Sequence, residues 1–156
     1  MTSGLRVREG TLADLPELKR LVDSHRDELG FVPRPALAAT IKRGWLLVAD
    51  VDGGIAGAVN WWARKDGVVV LYNLVVSPMA RNQGVGRSLL QGLIGWAQAR
   101  EARKIILKCP EELVANGFYE RFGFRLRGHE PGKRRRLNVW ELDLRELIQA
   151  VMGVSL

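Results

Sequence analysis

LYNLVVSPMARNQGVGRSLLQGLIGWAQAREA, running from Leu71 to Ala102, is the stretch around which the chain is organised. It opens as an apolar, strand-like run and passes through Ser77-Pro78 into the turn Arg81-Asn82-Gln83-Gly84-Val85-Gly86. Helical periodicity follows, with Val85, Leu89, Leu93, Trp96 and Ala97 on one face. A glycine-bearing turn at a helix start leaves several N–H groups without intrahelical acceptors, and the helix dipole adds partial positive charge there. Such a turn is built to receive an anion. A side chain at Gly84 or Gly86 would hold a diphosphate away from those N–H groups.

Two familiar cradles fail on spacing. A Walker loop needs four residues between its glycines and then Gly-Lys-Ser/Thr, whereas Gly86 is followed by Arg87-Ser88. The dinucleotide fingerprint needs a third glycine, and this turn runs on to Leu89. What remains is Arg-x-x-Gly-x-Gly between a strand and a helix.

The chain has 156 residues, enough for one core, with 47% hydrophobic and 26% charged residues, as in ordinary globular proteins. No apolar run approaches the roughly 20 residues that span a bilayer, and MTSGLRVREG lacks a signal-peptide core. The expectation is therefore a cytoplasmic protein with no membrane association. Its one cysteine, Cys109, cannot form an intrachain disulfide, and no Cys/His cluster suggests a metal. A net charge of +7 is compatible with a polyanionic partner, either nucleic acid or a phosphate-rich ligand. Much of that charge sits in Lys133-Arg134-Arg135-Arg136, read either as a solvated hairpin tip or as an anion-binding patch.

Alternation and turn signals give the order of elements. Leu5–Arg8 is a strand, and Thr11 caps a helix reaching about Glu28. Gly30–Pro35 breaks the pattern, and Ala36–Arg43 is a second helix. Trp45–Val51, Ile55–Arg64 and Val68–Val76 form a meander through Asp52-Gly53-Gly54 and Lys65-Asp66-Gly67. The central helix is expected over Gly84–Glu101, a strand over Lys104–Lys108 ended by Pro110, and a helix over Glu112–Phe122. Phe124–Gly128 and Leu137–Leu144 form a closing hairpin, and Arg145–Met152 extends as a partial helix. This β-α-α-β-β-β-α-β-α-β-β order predicts an α+β fold, mostly antiparallel with one parallel crossover around the central helix.

That order, the turn Arg81–Gly86 and a second segment, Asn116-Gly117-Phe118-Tyr119-Glu120-Arg121-Phe122-Gly123-Phe124, together resemble the GCN5-related N-acetyltransferase (GNAT) superfamily. The resemblance covers nearly the whole chain. It implies one acyltransferase domain over residues 1–144 with a tail over 145–156, and a mixed sheet whose fourth and fifth strands run parallel and splay apart. It implies acetyl-CoA as cosubstrate, with the pantetheine arm bonded to backbone around Leu74, Val75 and Val76 as an added strand. The diphosphate would lie on the N–H groups of Gln83, Gly84, Val85, Gly86 and Arg87, with Arg81 aiding by charge. Arg87 and Ser88 add contacts, or are a solvated arginine and a first-turn serine.

Tyr119 matches the tyrosine that in this family commonly protonates the departing thiolate. A phenol titrates near 10 and a thiol near 8.5, so the transfer costs on the order of 2 kcal/mol in water, less beside a desolvated thiolate. Many members carry a glutamate on the fourth strand as base; here Tyr72-Asn73 stands there, and no carboxylate lies between Gly67 and Gln98. Asn73 can position a water but is no base. Glu111, Glu112, His25 and His129 are the remaining candidates, and the base is unassigned. Many members also have a coenzyme-contacting asparagine seven residues before the tyrosine. Glu112 holds that place, and Asn116, three before Tyr119, serves instead or solvates its helix. Oxyanion stabilisation falls to a backbone N–H near Val75 or Val76.

The acceptor pocket is expected at Gly30–Pro35 and the sheet, with one indole of Trp61-Trp62 in the core and the other free to line it. Gly92 and Gly95 are expected where the central helix approaches the sheet closely. The function implied is direct transfer to a primary amine, on a small molecule or a protein, in a ternary complex. Two rivals are a catalytically silent acyl-CoA sensor and a basic nucleic-acid-binding domain. The arginine run lacks interleaved aromatics, which counts against the latter. A homodimer is compatible with the sequence, which leaves oligomeric state open.

Overall fold

The computed structural model describes residues 4–146. Seven strands, β1 (Leu5–Glu9), β2 (Leu46–Val51), β3 (Gly54–Ala63), β4 (Val68–Val76), β5 (Lys104–Pro110), β6 (Arg125–Pro131) and β7 (Arg136–Asp143), form one sheet in the order β1-β2-β3-β4-β5-β7-β6. The helices are α1 (Leu15–Asp23), α2 (Arg26–Leu29), α3 (Arg34–Arg43), α4 (Val85–Ala99) and α5 (Ala115–Phe122). The pairings β1–β2, β2–β3, β5–β7 and β6–β7 are antiparallel, and β4–β5 is parallel, so the expected mixed α+β topology is the observed one. The parallel register covers Val68–Val70 against Lys104–Ile106.

Two compact units share the chain: one takes the residues up to Trp62 and Leu71–Trp96, the other Ala63–Val70 and the residues from Ala97 onward. Neither is continuous in sequence. In the first, helices cover both faces of the sheet. Leu18 and Val22 of α1 and Leu37 and Ile41 of α3 pack on Leu46, Val48, Ala58 and Val75. On the other face a Cβ added at Gly57 would come 2.7 Å from the Val75 carbonyl oxygen and 3.1 Å from Leu89 and Val85 of α4. Trp61, fully buried, meets Trp96 of α4 at 5.0 Å. Two-sided burial explains why Ala56–Trp61 reads as an unbroken apolar run but for Asn60.

In the second unit Ile105, Leu107 and Cys109 alternate inward along β5, and β7 pairs with all seven residues of that strand. The ring of Phe124 meets Tyr119 of α5 at 5.5 Å, edge to face.

Several boundaries differ from the expectations. The first helix divides into a 3₁₀ turn at Leu12–Asp14, α1 and α2, because Ser24 and His25 bond back to Leu21 and interrupt the ladder. The last helix begins at Ala115, not Glu112: Leu113, Asn116 and Gly117 donate three residues back, to Pro110, Leu113 and Val114. β6 and β7 reach Pro131 and Arg136, closed by Gly132 N–H donating to the Arg135 carbonyl at 2.9 Å. Arg145 and Glu146 donate to Asp143 Oδ1 as a new turn opens; residues 147–152 of the expected tail helix lie outside those described. A close approach explains Gly92, whose added Cβ would meet Leu47 at 3.0 Å, but not Gly95, where nothing stands within 4 Å.

Candidate active site

The turn before α4 has the backbone its sequence promised. Asn82 (φ 63°) and Gly84 (φ 80°) are both left-handed, a conformation glycine adopts freely and asparagine tolerates. Nothing lies within 4 Å of a Cβ placed on Gly84, so its outer side is open. Ser88 N–H returns to the Gly84 carbonyl at 3.0 Å and starts the helical ladder. The N–H groups before it have no intrahelical acceptor, and the dipole of the fifteen-residue α4 makes their surroundings positive. Val85 is the apolar anchor, 1% exposed. Arg81 Nη2 lies 3.4 Å from Glu28 Oε1 with both groups about half exposed, and Gln83 Nε2 is 3.4 Å from the Met79 carbonyl. Met79 itself is 92% exposed beside the turn.

Backbone direction along β4 follows from two observations. The Val75 carbonyl faces Gly57 of β3, and Ser77 N–H donates to the Ala56 carbonyl at 2.7 Å. Residues 75 and 77 therefore turn their polar backbone groups toward β3, and Leu74 and Val76 turn theirs to the opposite edge. The Val75 N–H is thus directed toward β3 and the Val76 N–H away from it.

A polar chain crosses this unit that the sequence did not disclose. Thr40 Oγ1 donates to the Leu37 carbonyl at 2.9 Å, using its one proton. It can then only accept from Asn60, whose Nδ2 is 3.4 Å away. Asn60 Oδ1 consequently faces Asn73 and accepts from its Nδ2 at 2.9 Å. Thr40 and Asn60 are 3% and 4% exposed. Turning Asn60 over would set its Nδ2 against the Asn73 Nδ2, donor to donor, and turning Asn73 over would set oxygen against oxygen, at about 1–3 kcal/mol for each buried group left unmatched. A single asparagine within β3's apolar run was the available sign. Next along β3, Trp62 meets Trp45 edge to face at 4.8 Å under the Arg43 guanidinium, while Trp61 is core, so the two indoles divide between the faces as their alternation requires.

In the other unit Tyr119 is 6% exposed among Phe118 and Phe124. Burial, with a smaller contribution from nearby Cys109, pushes the phenol well above its ordinary range, so it stays protonated at neutral pH. Asn116, expected toward a coenzyme, is consumed by the protein. Its Nδ2 donates to the Pro110 and Leu113 carbonyls at 2.8 Å, and its Oδ1 accepts from Asn138 Nδ2 at 3.0 Å and Trp140 Nε1 at 2.9 Å. Both amide protons and both acceptor positions are taken, which corrects that expectation.

The candidate bases fare unequally. Glu112 is bonded to Arg135 at 2.8 Å, which holds its carboxyl below the usual range, and Glu111 lies 3.6 Å from Arg136. His129 is exposed on β6. His25 is buried with Nδ1 3.0 Å from the Leu21 carbonyl, and its Nε2 has no hydrogen-bond partner. Among the described residues no group of three or more Asp, Glu, His or Cys could hold a metal, and no helix is long and apolar enough to cross a membrane.

The sheet thus has one parallel step, and its long helix α4 opens on an unobstructed turn of N–H groups. Residues 17–124 match the Acetyltransferase (GNAT) family, and the chain belongs to that family. It is 37% identical over 92 residues to a Danio rerio protein named "Probable N-acetyltransferase 14", covering 57% of this chain and 32% of that one. It is 30% identical over 98 residues to a 5-NmdU N-acetyltransferase of Pseudomonas phage PaMx11, covering 60% of this chain and 66% of that one. The chain thus spans about a third and about two thirds of these curated relatives. The PaiA N-acetyltransferase of Thermoplasma acidophilum, solved in complex with coenzyme A, shares the fold with a TM-score of 0.76 at 17% identity, over 89% of this chain and 98% of that one.

Proposed function

We propose that this protein is an acetyl-CoA-dependent N-acetyltransferase that transfers acetyl directly to a primary amine within a ternary complex. The observation that carries the reading is the left-handed, unobstructed Gly84 at the start of α4. In this reading the N–H groups of Gln83, Gly84, Val85, Gly86 and Arg87 hold the coenzyme diphosphate, with Ser88 at the edge of the cradle and Arg81 leaving Glu28 for the phosphates. β4 continues through Leu74, Val75 and Val76 beyond its short parallel register, which supports backbone pairing with the pantetheine arm there. Val76 N–H would receive the oxyanion. Tyr119, protonated across the neutral range, would give its proton to the departing sulfur.

Release of free thiol from acetyl-CoA, followed with a panel of amines, tests the activity, and calorimetry with CoA tests the cradle. Thiol release with at least one amine class and measurable heat with CoA are expected. Absence of both would defeat the assignment.

A second reading, a silent acyl-CoA sensor, is favoured by one observation, the lack of any carboxylate on β4. CoA binding without turnover would establish it. A nucleic-acid-linked acceptor is the alternative suggested by the net charge of +7 and by the phage relative's name. Against a free basic patch, Arg135 and Arg136 engage Glu112 and Glu111.

A further inference from the structure

The Thr40–Asn60–Asn73 chain has a fixed sense, and that sense leaves one atom without a hydrogen bond among the described residues. Asn73 spends its Nδ2 on Asn60, so its Oδ1 is the end of the chain. Asn73 is only half-buried, unlike the other two, and its Oδ1 takes no hydrogen bond among the described residues. From this we propose that Asn73 Oδ1 accepts a hydrogen bond from the acceptor's nitrogen, and that the acceptors are amines substantially neutral near pH 7.5, namely α-amino groups of amino acids or peptides, not lysine ε-amines. The proposal rests on the acetyltransferase reading above and specifies its acceptor.

An amide oxygen can orient an N–H but cannot remove a proton at neutral pH, and the elements around it supply no replacement. β3 carries no ionisable side chain, and β4 carries only Tyr72, which alternates to the opposite face. The ionisable groups of α3 are Arg34, Lys42 and Arg43, all cationic. On α1, Glu17 accepts from Ile55 N–H at 2.9 Å, Asp23 is paired with Lys19, and Arg20 is cationic. Glu28 of α2 lies against Arg81, and Asp27 has a partner of its own. Across the sheet edge Asp50 faces Arg8. His25, at the start of α2, has a buried and unpartnered Nε2, and the experiment includes it.

The chemistry then selects the substrate. The nitrogen lone pair forms the bond to the acetyl carbonyl carbon, the C–S bond breaks, and the sulfur leaves with its electron pair and takes up a proton. The attacking nitrogen gives its surplus proton to water. Only the free amine carries the required lone pair. An α-amine with pKa near 7.7–8.0 is roughly a third neutral at pH 7.5, and a lysine amine with pKa near 10.4 only about 0.1%. The difference in reactive fraction is on the order of 200-fold.

The test compares alanyl-alanine amide with Nα-acetyl-lysine amide by thiol release between pH 6.5 and 10. The expected result is a preference of about 100-fold or more for the dipeptide at pH 7.5. Its kcat/KM should rise with pH to about 8 and level, whereas the lysine compound's should climb toward about 10. Asn73→Leu should raise the acceptor KM at least about tenfold while CoA binding by calorimetry stays unchanged. Asn73→Asp, which restores an oxygen and adds a charge, should move the acid limb down by about a pH unit and increase use of the lysine compound. Equal use of both amines overturns the proposal. So does a pH limb that vanishes in His25→Gln, or an Asn73→Leu enzyme with unaltered acceptor KM. Turnover of the lysine compound alone, or of other amines of the panel but not the dipeptide, defeats this inference and leaves the acetyltransferase reading standing; no turnover with any amine and no heat with CoA defeat both.

Discussion

At the scale of the residue, Tyr119 carries the proposed acid chemistry and Gly84 the proposed grip. Burial holds the phenol protonated, so its own ionisation should produce no fall in rate up to about pH 10, its ordinary value. The same shift has a stability consequence. The folded state keeps the proton that the unfolded chain loses above about pH 10, so its contribution is intact below that pH and declines above it. Tyr119→Phe should lower kcat by roughly 10²-fold, within the usual range for a general acid, and move the CoA dissociation constant by less than about threefold. Steady-state kinetics set beside calorimetry separates those effects, and an unchanged kcat removes the role. Gly84→Val forces a β-branched residue to positive φ and sets a side chain over the cradle. A stability loss of about 1–2 kcal/mol and at least about tenfold weaker CoA binding are expected.

At the scale of the element, the two glycines of α4 make a paired experiment. Gly92 sits against Leu47 and Val7, while Gly95 is exposed with free space around it. Gly95→Ala should raise stability by about 0.5–1 kcal/mol through helix propensity, and Gly92→Ala should do less or reverse sign. Urea titrations of the two variants decide it. The junction of β1 with the first turn is an ionic joint. Arg8 grips Asp14 through both its terminal nitrogens, at 2.9 and 3.0 Å, while Thr11 N–H donates to the same carboxylate at 2.7 Å. The Arg8 hydrogen bonds hold the Asp14 carboxyl down at about 2. Since the folded value is depressed, this stabilisation is present above about pH 4 and is lost as pH falls toward 2. Solvent contact screens part of it, leaving about 1–2 kcal/mol. Asp14→Asn should flatten that limb of the stability profile, measured by melts between pH 7 and 2.

At the scale of the whole molecule, a ligand that binds only the folded chain must raise its melting temperature. CoA at about 100 times its dissociation constant contributes about 2.7 kcal/mol, or roughly 5–10 °C for a chain of this size. A thermal scan without any shift would contradict the proposed cradle. The order of elements and one parallel crossover around the central helix were legible in advance because strands and helices alternate with clear periodicity, each bounded by Gly, Pro or Asp-Gly. The family resemblance placed the parallel step at β4–β5, and the position of β7 between β5 and β6 was not read. The backbone of the turn before α4 was legible for a related reason. Residues 81–88 are contiguous, and φ > 0 at Gly84 is a local requirement that local sequence satisfies.

Contacts between distant residues were not legible. Asn116 looks the same in sequence whether it meets a coenzyme or, as here, locks the Pro110–Leu113 turn to Asn138 and Trp140. Thr40, Asn60 and Asn73 lie on three elements with nothing in their spacing to associate them. The sequence by itself determined the order of elements and the open, left-handed turn before α4, because periodicity and backbone freedom are properties of neighbouring residues. Only the tertiary structure decided which polar side chains satisfy one another and which atom is left over, because that depends on burial and on donors and acceptors far apart in the chain.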